Sequence, residues 1–273
     1  MIDLHTHTTA SDGRCSPDVL ASRAAAAGVT VLGVTDHDTV AGCAATEVAC
    51  ASLGLAFVPG IEITAVAGDV DVHVLGYFID VQAPVLAEFL AVQRQRRIGR
   101  IHQLVERLAA LGMPLDLDAL VAPAMTNSTK SIGRPVVARA LVAAGYVPSV
   151  KDAFDQWLTP GRPAFVPRLA APPPEVFARI HEAGGLASMA HPGLTRRDED
   201  IPSYVDAGLD ALEVFHAEHT PAMRSRYFAM AEHLGVAMTG GSDFHGDAAH
   251  GAEPGAASVP LEYFEAFRKK LGN

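Results

Sequence analysis

Short apolar runs alternate with helical patterns through the first part of the chain. The runs predict a strand that opens the chain and further strands at 29–34, 55–58, 61–63 and 70–75, with helices over 17–27 and 40–53. Ser16, Pro17 and Asp18 are typical of a helix start, with an N-cap, a first-position proline and a first-turn acid. Because strands and helices alternate, we expect right-handed crossovers and a parallel sheet.

The middle of the chain has no strand-like run. Apolar residues recur at helical spacing over 84–111, and shorter helical patterns follow at 135–144 and 150–157. The alternation then resumes, with strands predicted at 186–190, 211–215 and 236–239, helices at 173–183, 221–234 and 260–271, and a short helix near Tyr204. We therefore expect an α/β barrel formed by residues 1–83 and 161–273, with a helical insertion at 84–160.

Composition excludes several classes of protein. The formal net charge of −10 argues against a general nucleic-acid or membrane-surface binder, although bound cations would still allow a small anionic substrate. Cys15, Cys43 and Cys50 lack CxxC spacing, so we expect free thiols in a reducing, cytoplasmic compartment. The first strand starts at Met1 or Ile2, which leaves no room for a signal peptide, and no apolar run is long enough to cross a bilayer.

The opening strand carries two histidines on one face. Side chains alternate along a strand, so Asp3, His5 and His7 share a face. Two imidazoles two residues apart converge on one point, and Asp12 lies a short loop away with an oxygen ligand. Single histidines are usually ordinary polar residues, but this pair beside a carboxylate favours a metal site.

Further candidate ligands fall at or near the ends of later predicted strands: His37, Glu62, His73, His191, Asp243 and His245. The C-terminal ends of barrel strands share one face, so residues distant in sequence meet there. Imidazoles and carboxylates without thiolates suit Mn²⁺, Zn²⁺ or iron. The ligands are too many for one ion, and the two oxygens of Glu62 make it the natural bridge between neighbouring ions.

In their order along the chain, these residues resemble the motifs of the PHP (polymerase and histidinol phosphatase) superfamily of metal-dependent phosphoesterases. The matching segments are Asp3-Leu4-His5-Thr6-His7, Thr35-Asp36-His37-Asp38, Gly60-Ile61-Glu62, His73, Ala190-His191-Pro192 and Gly241-Ser242-Asp243-Phe244-His245. They extend over nearly the whole chain. The resemblance implies a distorted (β/α)7 TIM-like barrel that holds up to three metal ions.

The family pattern also implies a ligand set for each ion. It assigns His5, His7, Glu62 and Asp243 to the first, Asp12, His37 and His245 to the second, and Glu62, His73 and His191 to the third. Some relatives carry histidine at the position of Asp12, and an oxygen donor there favours Mn²⁺ or Fe²⁺ over Zn²⁺. We expect two to three divalent ions, with Mn²⁺ favoured.

The expected chemistry is in-line attack on phosphorus. Metal ions about 3.5–4 Å apart can share a hydroxide and clamp a phosphoryl group, so a bridging hydroxide is the expected nucleophile. His219 is a candidate proton donor for the leaving alcohol, or else a surface histidine that caps the helix start at Thr220. We expect Asp36 to orient a ligand from behind and Asp38 to cap the following helix, while His216 stays ambiguous.

Arginines in or beside the insertion are candidates for phosphate binding: Arg134, Arg139 and Arg162, with Lys130 nearby. The segments 131–139 and 158–163 resemble a subgroup that removes the 3′-phosphate of nucleoside 3′,5′-bisphosphates and trims very short RNAs from the 5′ end. A small nucleotide is therefore the expected substrate, although each arginine could be a solvated helix charge. The basic run 93–97 with Arg100 is interpreted as a solvated helix face, and the acidity of the chain argues against a long nucleic-acid track.

Other classes stay open. An amidohydrolase has a similar HxH opening, but many use a carboxylated lysine as the bridge, and no lysine of this chain falls on a predicted barrel strand. A histidinol-phosphate-type phosphatase is the rival within the superfamily. A degenerate PHP domain used only for binding would lack ligands, and none is missing here. The oligomeric state is left open.

Overall fold

The structure, a computed structural model, describes residues 1–126, 132–246 and 251–272. Within these ranges the chain divides into two compact units, Met1–Phe89 with Ala171–Asn273 and Leu90–Ala170. The strands found among the described residues all belong to the first unit, and the second unit is helical.

The strands form one mixed sheet in sequential order. They are β1 (Ile2–Asp3), β2 (Val31–Val34), β3 (Ala56–Ala67), β4 (Val70–Tyr77), β5 (Leu186–Met189), β6 (Ala211–His216) and β7 (Ala237–Gly241). The main-chain N–H of Leu4 donates to the carbonyl of Gly240 at 3.2 Å, which links the two ends of the sheet. The sheet is nearly closed into a barrel with helices around it, and the expected distorted TIM-like α/β barrel is confirmed.

Most helices of the described chain lie where the apolar periodicity predicts them. They are α1 (Pro17–Ala26), α2 (Cys43–Leu53), α3 (Pro84–Ala110), α4 (Leu117–Thr126), α5 (Arg134–Ala143), α6 (Val150–Ala153), α7 (Pro173–Glu182), α8 (Pro192–Thr195), α9 (Ile201–Asp206), α10 (Pro221–Leu234) and α11 (Leu261–Lys269). A π-helical turn, Phe154–Leu158, follows α6, and 3-10 turns cover Asp198–Asp200 and Lys270–Gly272. The bounds of α10 agree with the prediction because Thr220 caps its start and Gly235, with φ +68°, ends it.

The expectation of an all-parallel sheet is wrong for β4. This strand runs antiparallel to both β3 and β5, and the remaining pairs are parallel. Only Gly68 and Asp69 separate β3 from β4, and two residues cannot form the crossover that a parallel neighbour requires. Gly68 adopts φ +62°, which glycine tolerates, so the chain turns back as a hairpin.

Some element boundaries also differ from the prediction. β3 is one strand through Pro59, where two were expected, because the Pro59 carbonyl accepts the N–H of Phe78 at 2.8 Å and the ladder continues. Helix α4 has no counterpart in the sequence prediction. Helix α2 begins at Cys43, so Asp38 does not cap it, and the Asp38 carboxylate instead accepts the main-chain N–H of Thr64 at 3.2 Å.

Buried apolar side chains hold the first unit together around its sheet. One cluster, which includes Leu4, Leu75, Tyr77, Leu186 and Phe267, joins β1, β4 and β5 to α11. The rings of Tyr77 and Phe267 meet edge to face with centroids 5.6 Å apart. A second cluster packs α1 on β2 through Leu20, Ala24, Leu32 and Val34. The strand ends that carry the candidate ligands therefore rest on a packed scaffold.

The second unit has an apolar core of its own, which includes Ile101, Leu104, Leu108, Val137, Leu141 and Leu158. The interpretation of the basic run in α3 as a solvated face is wrong for two of its residues. Gln93 and Arg100 are buried, and Arg100 Nε donates to the carbonyl of Val166 at 2.9 Å. This hydrogen bond connects α3 to the segment around Val166, near the end of the second unit.

The three cysteines are free and buried. Burial raises the pKa of Cys43 to about 12 and the pKa of Cys50 to about 11, so both stay protonated at neutral pH and are poor metal ligands. In the part of the chain that the structure describes, no helix combines the length and the apolar character needed to span a membrane.

Asp210 ties the start of β6 to β5 and α7. Its Oδ2 accepts the main-chain N–H of Ala187 at 2.8 Å and a hydrogen bond from His181 Nε2 at 2.7 Å. This hydrogen bond raises the pKa of His181, so folding favours the charged imidazolium.

We expect His181→Ala to destabilise the protein more at about pH 5.5 than at about pH 9. Because the pKa of His181 is higher in the folded state, the contact stabilises fully below an unfolded-state pKa of about 6.5 and is lost as the pH rises through the folded value. The cost at the lower pH should be about 0.5–1 kcal/mol for a partly exposed pair. Urea unfolding at both pH values measures it, with His233→Ala on exposed α10 as the control. An equal cost at both pH values would contradict the pairing.

Candidate metal centre

Four side chains from three parts of the barrel meet beyond the end of β1. His5 Nε2 lies 3.2 Å from Asp243 Oδ1 and 3.4 Å from Glu62 Oε2. His7 Nε2 lies 3.1 Å from the same Asp243 oxygen and 3.3 Å from the same Glu62 oxygen. Both imidazoles are fully buried. The structure therefore brings together the side chains that the sequence assigns to a first ion.

His7 also belongs to a second group, with Asp12, His37 and His245. Asp12 Oδ1 lies 3.8 Å from His7 Nδ1 and 3.4 Å from His245 Nε2, and Asp12 Oδ2 lies 3.8 Å from His37 Nε2. One ligand atom from each of the four side chains lies within 4.8 Å of the others. Asp12 is exposed, so this group is open to solvent.

Glu62 lies between two sets of imidazoles. Its Oε2, which faces His5 and His7 just after β1, is also 3.1 Å from His37 Nδ1. Its Oε1 is 2.8 Å from His73 Nδ1 and 3.2 Å from His191 Nε2. Each oxygen of the carboxylate thus faces different histidines, which is the arrangement expected of a group that bridges cations.

The backbone is strained at two of the candidate ligands. His191 adopts φ +26° and ψ 60°, and Asp243 adopts φ +56°, a region that costs a non-glycine residue about 1–3 kcal/mol. Hydrogen bonds hold both residues, since the N–H of His191 donates to Glu213 Oε2 at 2.7 Å and the N–H of Asp243 donates to the His5 carbonyl at 2.9 Å. Such conformations persist where the surroundings determine them, and they concentrate at functional sites.

Asp3 fixes the segment after β7 beside β1. Its Oδ1 accepts the N–H of Ser242 at 2.9 Å, and its Oδ2 accepts the Ser242 hydroxyl and the N–H of Gly255, each at 2.7 Å. The side chain is fully buried, and burial raises its pKa. Asp3 therefore positions the turn that carries Asp243.

The carboxylates of the pocket are ionised at neutral pH, and His37 is neutral. Burial opposes ionisation, yet the surrounding histidines hold the pKa of Glu62 and of Asp243 well below the usual range. Burial lowers the pKa of His37 to about 4, although Glu62 opposes the shift. At neutral pH the carboxylates are anions and His37 is a neutral imidazole, the forms that ligate divalent metals.

The donor set fits a divalent metal. His7 is fully buried, and although carboxylate oxygens of Asp243 and Glu62 lie 3.1 and 3.3 Å from its Nε2, neither ring nitrogen makes a hydrogen bond of acceptable geometry with the described residues. Buried polar atoms without partners are costly, and a bound cation would satisfy these nitrogens. The pocket offers imidazole nitrogens and carboxylate oxygens without a thiolate, which suits Mn²⁺, Fe²⁺ or Zn²⁺.

Comparison with known proteins decides the family. A model described as the PHP domain matches residues 3–96. The chain is 34% identical over 250 residues to the 5′-3′ exoribonuclease Rnm of Escherichia coli, which covers 89% of this chain and 84% of that protein. The chain belongs to the PHP family.

Other proteins similar to this PHP chain extend the same relationship. It is 33% identical over 259 residues to the 3′,5′-nucleoside bisphosphate phosphatase of Chromobacterium violaceum, covering 93% of this chain and 90% of that protein. Among solved structures, a candidate metal-dependent phosphoesterase from Bifidobacterium adolescentis superposes with a TM-score of 0.82 at 33% identity, covering 98% of this chain and 95% of the other. The family and the phosphoester-hydrolase class expected from the sequence are confirmed.

Sequence reasoning missed Glu213 of the PHP barrel. This residue is fully buried in β6, with Oε1 2.9 Å from His5 Nδ1. Burial would raise its pKa, but His5 and His216 lower it to about 2. The available signal was one carboxylate inside the apolar run Ala211–His216, where an acid is rarely buried unless it is paired.

His216, which the sequence left ambiguous, lies behind Asp243. It is fully buried, and its Nδ1 accepts the N–H of Glu218 at 3.2 Å, so Nε2 carries the proton of the neutral ring. That nitrogen lies 3.4 Å from Asp243 Oδ2. His216 therefore faces the Asp243 oxygen that is turned away from His5 and His7.

For His219, the surface-cap alternative is wrong, and its role as a proton donor stays a prediction. Its Nε2 accepts the N–H of Gly193 at 3.2 Å, and its Nδ1 donates to the carbonyl of Val214 at 3.0 Å, so the single proton of the neutral ring is already engaged. Burial lowers its pKa, which favours that neutral form. The ring is buried and Thr220 caps α10 instead, so His219 is not a surface cap. It holds the turn after β5.

Asp36 holds the loop before Asp12 instead of contacting a ligand. Its Oδ1 accepts the N–H of Thr8 at 2.7 Å and the Ser11 hydroxyl at 2.6 Å, and its Oδ2 accepts the Thr8 hydroxyl at 2.7 Å. A Cβ at Gly42 would lie 2.2 Å from Asp36 Oδ2, so glycine is required beside it. Asp36 therefore influences the metal pocket indirectly, because it fixes the loop that leads to Asp12.

The candidate phosphate-binding arginines all belong to the second unit. Arg134 begins α5, its Nη1 donates to the carbonyl of Leu158 at 3.4 Å, and its guanidinium lies over the Phe154 ring at 5.8 Å. Arg139 and Arg162 are exposed. Their substrate-binding role stays a prediction. Lys130, Ser131 and His250 lie outside the described residues.

We expect Asp243→Asn to reduce phosphoesterase activity by at least about 100-fold, because an amide replaces the anionic oxygen shared by His5 and His7. Asp69→Asn, in the exposed β3–β4 turn, is the matched control. Elemental analysis after dialysis should show less bound metal in the Asp243 variant alone, with circular dichroism unchanged in both. Normal turnover by the Asp243 variant would remove this residue from the ligand set.

Proposed function

We propose that the protein is a metal-dependent phosphoesterase that hydrolyses a phosphate monoester of a small nucleotide, a nucleoside 3′,5′-bisphosphate or a short oligonucleotide. The observation that carries this proposal is the position of Glu62. Its two oxygens face different imidazoles, with His5 at 3.4 Å from one and His73 at 2.8 Å from the other. A pocket of this kind has ligands for more than one cation, as phosphoryl transfer by paired metals requires.

The proposal assigns two to three divalent cations to the pocket, with Mn²⁺ favoured over Fe²⁺ and Zn²⁺. The ligands would be His5, His7, Glu62 and Asp243 for one, Asp12, His37 and His245 for another, and Glu62, His73 and His191 for a third. The oxygen donor of Asp12 supports a harder ion than zinc at the second position.

Bound ions of this kind supply a nucleophile derived from water at neutral pH and offset the charge of the phosphoryl group. The residues of the chain hold the ligands and define access. Glu62 and His5 are fully enclosed, so water does not compete for their donor atoms. Asp12 is exposed and marks the side from which a substrate can enter. His219 stays a candidate proton donor for the leaving alcohol, and in the structure both of its nitrogens contact backbone groups.

The names of the relatives support a nucleotide substrate, since one is an exoribonuclease and another a nucleoside bisphosphate phosphatase. Arg134 and Arg162, and less directly Arg139, are the proposed phosphate contacts, and the helical segment 84–160 would contribute to substrate binding. A guanidinium pairs with phosphate through two parallel hydrogen bonds, which suits the second phosphate of a bisphosphate.

An amidohydrolase activity is the second candidate, and the position of the lysines counts against it. Lys151 lies in α6, Lys269 in α11 and Lys270 in the turn that follows, so none of the described lysines is on a barrel strand where it could bridge ions. Lys130 lies outside the described residues. Glu62 supplies the bridging carboxylate without a modified lysine.

A substrate panel tests the proposal. The purified protein with Mn²⁺ should release phosphate from adenosine 3′,5′-bisphosphate faster than from histidinol phosphate, and it should shorten dinucleotides. Preference for histidinol phosphate would reassign the substrate within the family. Hydrolysis of an amide panel without phosphate release would overturn the proposal.

Metal removal should abolish activity, because the buried carboxylates and imidazoles are then without the cations that they hold. EDTA treatment followed by buffer exchange should leave less than about 1% of the activity, and added Mn²⁺ should restore it more fully than Zn²⁺. Activity and metal content are measured in the same sample of apoprotein after prolonged chelation. Full activity without metal would contradict the metal centre.

Arg134→Ala should raise KM for a nucleoside 3′,5′-bisphosphate about 10- to 100-fold, and much less for an aryl phosphate that has one phosphate group, because only the former uses a second phosphate contact. Arg268→Ala, at an exposed position of α11, is the control. Steady-state kinetics with both substrates measure the effect. Equal increases in KM for the two substrates would show that Arg134 does not bind the second phosphate.

A further inference from the structure

We propose that Glu213 is a positioning residue of the metal pocket, in which one carboxylate orients the imidazole of His5 and the main chain of His191 at the same time. The two histidines belong to the ligand sets of different cations. This inference rests on the proposed metal centre, and it adds that the two sets are coupled through a side chain that touches neither cation.

The contact with His5 selects one tautomer. Glu213 Oε1 lies 2.9 Å from His5 Nδ1, and an ionised carboxylate only accepts hydrogen bonds, so Nδ1 carries the proton. The lone pair of the neutral ring is then on Nε2, the nitrogen that lies 3.2 Å from Asp243 Oδ1. Glu213 thereby turns the ligating nitrogen of His5 towards the pocket.

The contact with His191 holds a strained backbone. The N–H of His191 donates to Glu213 Oε2 at 2.7 Å, and His191 has φ +26°. That conformation aims its Nε2 at Glu62 Oε1, 3.2 Å away. Without the carboxylate, the turn Ala190-His191-Pro192 would be free to relax towards ordinary dihedral angles, and the imidazole would move from the pocket.

The position of Glu213 makes it hard to replace. Its side chain is fully buried, so water cannot substitute for either contact. It lies in β6, which pairs with β5 and β7 on its two sides, and such a strand holds a side chain more rigidly than a loop does. Each carboxylate oxygen accepts a hydrogen bond from a different histidine: Oε1 from the His5 ring and Oε2 from the His191 main chain.

The substitution Glu213→Gln keeps the shape and removes one of the two acceptors. If the amide oxygen faces His191, the amide NH₂ group faces His5 Nδ1 and forces the proton of His5 onto Nε2, where it blocks ligation. If the oxygen faces His5, the NH₂ group meets the N–H of His191, and the strained turn loses its anchor. Either orientation impairs one ligand set.

The experiment measures Mn²⁺ binding to the full chain, with the metal alone as probe. Glu213→Gln should weaken Mn²⁺ binding 10- to 100-fold at one or both of the affected positions, by isothermal titration calorimetry and by metal content after dialysis. Glu218→Gln, an exposed carboxamide substitution just after the same strand, should bind Mn²⁺ like the wild type. Circular dichroism and urea unfolding of the metal-free proteins check the fold. If the Gln variant does not fold, Glu213→Asp replaces it, since the charge is kept but the shorter side chain cannot reach both histidines.

Two backgrounds separate positioning from a general loss of stability. In His5→Ala, the amide oxygen of Glu213→Gln can accept the N–H of His191 with no competing partner, so the change should weaken Mn²⁺ binding much less there than it does in the wild-type background. Effects that are the same in every background would overturn the positioning role. If the wild-type protein binds Mn²⁺ and Glu213→Gln binds it with the same affinity, the positioning role is wrong but the proposed metal centre stands. A wild-type protein that binds no Mn²⁺ would overturn the proposed function as well.

Discussion

The buried carboxylate of Glu62, enclosed by imidazoles from four other segments of the chain, is the contact on which the arrangement of the barrel depends. Moving an ionised carboxylate out of water costs several kcal/mol unless partners compensate for it. Here the partners come from the segment after β1, from the loop after β2, from β4 and from the turn after β5, with separations of 2.8–3.4 Å. The strand ends can therefore adopt only the arrangement that satisfies this group, and cations bound there would stabilise the same arrangement.

Two further carboxylates, Asp3 and Glu213, stabilise the strained backbone conformations that this arrangement requires. Asp243 and His191 have left-handed backbone conformations, which aim their side chains into the pocket at an energetic cost. Asp3 offsets the first by accepting two hydrogen bonds from Ser242, and Glu213 offsets the second through the N–H of His191. Acidic residues in this pocket thus have two separate tasks, since some face the space for cations and others hold the main chain.

That division of tasks marks the limit of what the sequence could predict. His5, His7 and Glu62 were identifiable because spacing and strand ends show which side chains share a rim. Glu213 was not, because alternation in a strand gives the face of a side chain but not its partner. His219 shows a related limit, since a histidine after a strand has the same sequence signal whether its nitrogens face a substrate or backbone groups.

The reversed strand β4 shows how His73 reaches the pocket by a topology that differs from the predicted one. His73 is the fourth residue of β4, far from its C-terminal end, so in a parallel strand it would lie away from the rim. Because β4 is antiparallel, its first half lies beside the last half of β3, and His73 is opposite Thr64. Thr64 and Glu62 are two residues apart and share a face of β3, which places the His73 ring diagonally across from the Glu62 carboxylate. The hairpin at Gly68 is therefore what brings His73 to Glu62, and a crossover helix at that point would have removed this histidine from the pocket.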